Sequence, residues 1–547
     1  MHPILLNSAQ GLSEVISVKV RAQGLAALIV LVSGLLSGCH PTSHPDRNVL
    51  RRGLGGEPGT LDPGLSADTY SDAVLLDLYE GLTAESTTGE VVPGVAESWT
   101  VDATATEYSF HLRADAHWSN GERIRAQDFV DSWRRAIDPK FGSPDADDFR
   151  LIAHASAILA GEEPPSALAA SAPSDAVLVV KLERPAPYFP EILAHTSTYP
   201  VYLKHPGAVG THDPKKWISN GPYVLSEWLP NTRADLKINQ AYWDRSRVHI
   251  TGVRYEFTAN DSAQYAAYRA GQLDMTDLVP VNALPLIRQQ HPSELQITPF
   301  LGTVYYGINL ANGALSSRAL RQALAMAIDR KRLVDSLGFG QVPAYGFVSP
   351  GTANYTPQEW DWKSLADAER EQRAKKLYLQ SGFSPAKPLR LRVLFNANEV
   401  IQRTAVLIAA MWKEVLGIDV DLTGEEYKVF LQSRHDTSRW DVARLAWSAD
   451  FNDASNFLEV LGGRSPNNDM SYQNSEFDTD LDKAANSLDT SERRGTLQRA
   501  ERVMLNDYPI IPLYHFVSKR LIKPYLHGVV TNPFNRVPSK ILTLDAN

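Results

Sequence analysis

Apolar residues follow two periods along this chain. From Tyr108 to Arg113 apolar and polar side chains alternate, which predicts a strand with one buried face. Val177 to Leu182 predicts another, closed by Arg184-Pro185; Leu389 to Phe395 and Ile418 to Leu422 alternate in the same way. Between Ala126 and Ile137 the period is helical: Phe129, Val130, Trp133 and Ile137 share a face, Asp128 stands in the first turn and Pro139 lies past the end. Leu320 to Leu337 predicts an amphipathic helix stopped by Gly338. Leu365 to Leu379 predicts a second, ended by Ser381-Gly382, and Ile401 to Leu416 a third, stopped by Gly417. Tyr268 to Asp274 reads as a helix end with Gly271 just beyond it, and Ser219 to Pro222 as a turn. Helix–strand units in succession indicate a mixed α/β protein.

One apolar run, Leu25 to Leu36, follows neither period. Lys19 and Arg21 precede it, and it ends in Leu36-Ser37-Gly38-Cys39. It is too short to span a bilayer but long enough for the core of a signal peptide. The small residues before Cys39 resemble the lipobox of bacterial lipoproteins, so residues 1–39 are expected to be a leader ending in a lipidated Cys39. Residues 40–48, polar and proline-containing, read as a tether. This places the protein in the cell envelope, on the periplasmic side and anchored to a membrane by lipid. His40, rather than Asp, follows the cysteine, which permits outer-membrane sorting. The stretch before Lys19 is long for such a leader.

At 547 residues the chain is long enough for two to four domains. Its net charge of −9 and pI near 5.9 come with no basic stripe, which argues against a nucleic-acid partner. With Cys39 the only cysteine, no disulfide can form within the chain. An extracellular hydrolase is the competing class, but there is no Gly-x-Ser-x-Gly elbow, no His-Glu-x-x-His and no second cysteine for catalysis. The 14 histidines show no metal-ligand spacing, so neither a metal nor another cofactor is expected. Adjacent acids such as Asp147 and Asp148 read as a solvated face.

Several segments carry a resemblance. In order they are Leu61-Asp62-Pro63, Leu78 to Leu82, Pro93 to Trp99, Tyr108 to Arg113, Trp118 to Gly121, Phe129 to Trp133, Ser219 to Tyr223, Tyr242 to Asp244, Tyr268 to Asp274, Arg321 to Arg330, Trp440 to Arg444 and Trp447 to Phe451. From about Val49 onward the chain resembles the family 5 bacterial extracellular solute-binding proteins, of the oligopeptide- and murein-peptide-binding type. That resemblance implies an α/β, bilobal periplasmic-binding-protein-like fold (type II, cluster C) with an extra domain on the first lobe. Carried onto this chain, lobe I is residues 49–78, 201–301 and 517–547, the extra domain 79–200 and lobe II 302–516. It further implies a monomer that is no enzyme, captures short peptides by hinge closure and delivers them to the permease subunits of an ABC importer. Other cargoes bound on this fold, such as murein peptides, nickel chelates or haem, stay open.

The same resemblance implies the site. Asp450 matches the position whose carboxylate holds the peptide α-amino group, with Trp447 and Ser448 beside it. Arg434 and Arg444 match cations for the peptide carboxylate, a task that suits the forked guanidinium. Backbone groups of residues 444–450 and 302–307 are expected to bind the peptide main chain, and Tyr305 with Tyr306 to give aromatic walls. Where relatives offer a lysine and a histidine to the peptide carboxylate, this chain has Leu337 and Ile401; Asp145 replaces an aromatic beside the peptide start. Paired cysteines of relatives match Gly302 and Ser448.

Overall fold

The alternating segments become strands where the sequence predicts them. The structure, a computed structural model, describes residues 48–205, 213–258, 260–530 and 532–545. The leader, Cys39 and all of the tether but its last residue lie outside the described residues. Strand Glu107–Leu112 buries Tyr108, Phe110 and Leu112 and turns Glu107, Ser109 and His111 outward. It stands second in a four-stranded antiparallel sheet, ordered Ala96–Val101, Glu107–Leu112, Val177–Lys181, Ala170–Ser174. Helix Ala126–Ala136 packs on the last two of these strands and buries Phe129, Val130 and Trp133. The Asp128 carboxylate accepts from the Arg125 N–H at 2.9 Å and fixes its start.

A second four-stranded sheet runs Val49–Leu54, Gly252–Phe257, Arg233–Ile238, Tyr223–Leu229, with only its first pair parallel. The third has six strands, ordered Val342–Pro343, Ile510–Leu521, Leu295–Ile308, Val442–Ser448, Arg390–Asn396, Asp419–Glu425. Its last two pairs are parallel and the others antiparallel. Buried side chains fall into two cores. One holds Leu50, Phe110, Trp133 and Tyr223; the other holds Val304, Leu324, Trp412, Trp440 and Ile510, and draws in Tyr265, Tyr268, Leu284 and Ile287.

The two longest strands among the described residues, Leu295–Ile308 and Ile510–Leu521, pair twice. Leu295–Pro299 meets Val517–Leu521, and Thr303–Gly307 meets Ile510–His515, with the register shifted between. Phe300 and Phe516 stack at that break, ring centroids 5.2 Å apart.

The single helix expected over Leu320–Leu337 is two, Arg318–Met326 and Arg330–Leu337. Asp329 caps the second by accepting from the Arg332 N–H at 2.9 Å. Arg330 is fully buried and donates to the carbonyls of Ala325 and Ile328 at the break, and to Ala344 and Pro512 beyond it. Gly338 stops the second helix with φ 76°, as read from the sequence.

Candidate functional site

Strand Val442–Ser448 is the frame of the site. On one side it pairs along its whole length, from Ile308↔Val442 to Gly302↔Ser448. On the other, Arg390–Asn396 pairs only with Val442 and Ala443. Among the described residues, the edge from Arg444 to Ser448 therefore has no strand beside it. Every second residue there turns its N–H and C=O outward, where an added strand can bond them. The partner role expected of residues 302–307 does not hold. Thr303–Gly307 has a strand on either side, and Gly302 exchanges bonds with Ser349 Oγ at 3.0 Å, so these groups are already used.

Just past that edge the chain turns and Asp450 lies half-buried. The side chain of Asn456, on helix Ala454–Leu458, organises the turn. Its Oδ1 accepts from Trp447 Nε1 at 2.8 Å and from the Asp450 N–H at 3.2 Å. Its Nδ2 donates to Asp450 Oδ2 at 3.2 Å. Nothing in the sequence marks this asparagine, because its role depends on a turn that returns it to residues six and nine positions earlier.

Opposite Asp450 stand groups from a distant part of the chain. Burial raises the Asp450 carboxyl above its ordinary value, and the Asp148 carboxylate adds to the rise; His195, Asn456 and Arg536 oppose it. Asp148 Oδ2 lies 3.3 Å from His195 Nδ1 and accepts from Ser197 Oγ at 2.5 Å. Burial works against charge on His195, yet Asp148 raises the ring to about 9. Asp145 is pushed up to about 7, by burial first and then by Asp148. Arg536 is ion-paired with Glu85, and Thr196 Oγ1 donates to Asp72 at 2.6 Å. Four carboxyl groups, Asp72, Asp145, Asp148 and Asp450, thus act on one region with His195 and Arg536 as its cations. The solvated face read from Asp147 and Asp148 is corrected for Asp148, whose side chain is only 24% exposed. Asp145, Asp148 and His195 also bring one ligand atom each within 4.8 Å of one another, a set able to hold a metal ion. With His195 Nδ1 turned to Asp148 and Ser197, the arrangement is first an ion-paired cluster.

The two arginines gather around Tyr305. Arg434 Nε lies 3.6 Å from Asp469 Oδ2, and His435 Nδ1 lies 2.7 Å from Asp469 Oδ1. Arg434, Arg444 and Asp469 all act electrostatically on the Tyr305 hydroxyl, which burial raises. Arg444 Nε and Arg434 Nε are buried with no hydrogen-bond partner among the described residues. Tyr305 and Tyr306 do not form open walls: both are core residues, edge-on to Phe347 and tilted against Trp412. Trp447 is half-buried and Ser448 exposed. Leu337 is buried in the second core and Ile401 packs against it.

With this geometry in view, the comparisons are direct. Residues 90–469 match the model of the bacterial extracellular solute-binding proteins, family 5. The chain is 34% identical to the periplasmic oligopeptide-binding protein OppA of Escherichia coli (strain K12), over 88% of this chain and 90% of that one. It is also 34% identical to the periplasmic murein peptide-binding protein MppA of the same organism, over 89% and 91%. The solved structure of OppA from Burkholderia pseudomallei superposes with a TM-score of 0.79 at 35% identity, covering 92% of this chain and all of that one.

Proposed function

The chain belongs to the family 5 bacterial extracellular solute-binding proteins, and from that premise we propose that it captures short peptides between two lobes and delivers them to an ABC importer. The observation that carries this reading is the unpaired edge from Arg444 to Ser448 running directly into Asp450. A peptide lying along that edge bonds through groups every residue possesses, so its sequence matters little. Its ammonium group reaches Asp450, which faces the Asp148–His195 pair. The orphaned Nε atoms of Arg444 and Arg434 offer donors for its carboxylate. A binder that returns its cargo unchanged has no need of a nucleophile or a general base, and no reaction is assigned.

Lobe I is read as residues 49–78, 201–301 and 517–547, the extra domain as 79–200 and lobe II as 302–516, although Tyr265, Tyr268, Leu284 and Ile287, inside the lobe I bounds, pack in the second core. The register break between Pro299 and Thr303 supports a hinge there. We read the protein as a monomer, and its attachment to the membrane by lipid on Cys39 is supported by the leader pattern; no helix among the described residues is long and apolar enough to cross a membrane. Mass spectrometry of the envelope form tests the acyl groups.

Calorimetry with a tripeptide and its N-acetylated form tests the capture mode. Asp450→Ala is expected to weaken the tripeptide by about 3 kcal/mol or more, the scale of a broken buried pair. Equal affinity for the two peptides by the unaltered protein would remove Asp450 from this role.

A further inference from the structure

The two cores also meet next to Asp450, at Phe451. Phe451 stands between Ala449 and Ala454, both part of the second core, yet its ring packs against the first. It stacks on Tyr188 with centroids 5.1 Å apart and planes 4° from parallel. The Arg493 guanidinium lies 5.1 Å from the same tyrosine ring. Both of its terminal nitrogens are committed to Asp453, Nη1 to Oδ2 at 2.5 Å and Nη2 to Oδ1 at 2.8 Å. Arg184 Nη2 reaches Glu459 Oε1 at 3.3 Å a short way along the same contact.

Glu191 sits inside this junction, on the short helix Phe189–Ile192 that follows Tyr188. Its Oε2 is buried with no hydrogen-bond partner among the described residues. The charges that face it are Asp453 and Glu85, which disfavour its anion, and Arg493, which favours it. The Asn452 N–H donates to it. Both terminal nitrogens of Arg493 go to Asp453 and its buried Nε makes no hydrogen bond to any described residue, so an ionised Glu191 would place its unpaired oxygen beside a second carboxylate whose effect on it outweighs that of Arg493.

We propose that Tyr188 and Phe451, steadied by Arg493, form a clasp that sets how firmly the lobes close, and that the clasp engages with Glu191 protonated. This rests on the reading that cargo is captured between the lobes. The clasp positions Asp450 as well, since Phe451 is its neighbour in the chain and cannot leave Tyr188 without moving the turn that Asn456 holds.

The proton linkage has a definite sign. Burial first, and then Asp453, push the Glu191 carboxyl from 4.5 to about 8. A clasp that opens returns it to water and to its ordinary value. Closure therefore takes up a proton: the stabilisation is complete below about 4.5, declines by up to tenfold per pH unit above that, and is lost above about 8.

Small-angle scattering and calorimetry on the whole protein test both halves. Tyr188→Ala and Phe451→Leu are expected to enlarge the radius of gyration of the cargo-free protein and to weaken a tripeptide about tenfold, whereas Tyr188→Phe keeps the stack and both values. Between pH 6 and 7 the unaltered protein is expected to expand and to lose about tenfold more affinity than Glu191→Gln does. Asp145, His195, Asp450 and the peptide ammonium titrate alike in both proteins, so the difference isolates Glu191. Unchanged size and affinity in Tyr188→Ala and Phe451→Leu would overturn the clasp, and identical pH profiles in Glu191→Gln would overturn its proton. If the unaltered protein binds no tripeptide, the functional reading fails instead, and scattering alone decides the clasp. Circular dichroism identifies any variant that has unfolded; Glu191→Gln, which preserves shape, then carries the decision through its size and pH profile.

Discussion

Arg444 stands at the start of the open strand edge with a buried Nε that finds no acceptor among the described residues. A buried donor left unmade costs about 1–3 kcal/mol, so a ligand that supplies the acceptor recovers that cost on binding. Arg434 differs, because Asp469 already lies 3.6 Å from its Nε. Of the two, Arg444 is the one that gains more from a peptide carboxylate. Arg444→Ala is expected to weaken a free-acid tripeptide by at least about tenfold, the scale of a charged hydrogen bond, and to leave its C-terminal amide nearly unaffected. Calorimetry with the two peptides checks this; an equal loss for both assigns Arg444 to the scaffold. The residues of this site were legible to different degrees. Asp450 and Arg444 are expected there because neighbouring motif residues anchor their positions, and the peptide experiments test the roles assigned to them. The Asp148–His195 pair could not be read, since the contact at 3.3 Å joins residues far apart in the chain and neither carries a local signal. Tyr305 read as a possible wall because alternation cannot say which face of a central strand meets a cavity and which meets core.

At the scale of elements, apolar periodicity located strands and helices well wherever local forces decide them. Helix Glu399–Leu416 ends at Gly417 with φ 75°, and helix Asp367–Gln380 is followed by Gly382 with φ 86°, both where a left-handed residue is needed. The break at residues 327–329 was not legible, because the periodicity runs through it. What divides the helix is tertiary: Arg330 enters the core with no carboxylate partner among the described residues and binds four backbone carbonyls, among the rings of Tyr345, Trp360 and Trp362 at 5.0, 5.2 and 5.4 Å. One side chain thus ties two helices to the end of strand Ile510–Leu521. Arg330→Met fills similar space but leaves those carbonyls unmet, so thermal or denaturant unfolding should show a loss of about 3 kcal/mol or more. Arg330→Lys should recover only part of it, because a single ammonium cannot reach both sides of the break. Full stability in Arg330→Met would mean that the helix break is set by Asp329 capping alone.

At the scale of the molecule, the two long strands run through the second core, Ile510–Leu521 leading directly to Ile522, which packs on the first, and their break is built around three residues. The register slips between Pro299 and Thr303, the Phe300 and Phe516 rings stack 5.2 Å apart, and Gly302 leaves the room that Phe516 occupies. A Cβ at Gly302 would overlap the Phe516 ring and press on the Trp447 carbonyl at 3.0 Å. Gly302 is also the cross-strand partner of Ser448, at the end of the open edge. Here, then, an aromatic ring is seated on a glycine whose own N–H and C=O are bonded to Ser349 Oγ. Gly302→Ala should cost about 1–3 kcal/mol in unfolding experiments, the range for overpacking a well-filled site. Peptide affinity should fall with it, because the displaced ring pushes on the strand that leads to Asp450. Phe516→Ala in the same chain opens the space again, so the double variant should be more stable than the sum of the two single losses by at least about 0.5 kcal/mol. Strict additivity would place the cost in the contact with the Trp447 carbonyl instead, and would separate the Phe516 ring from it.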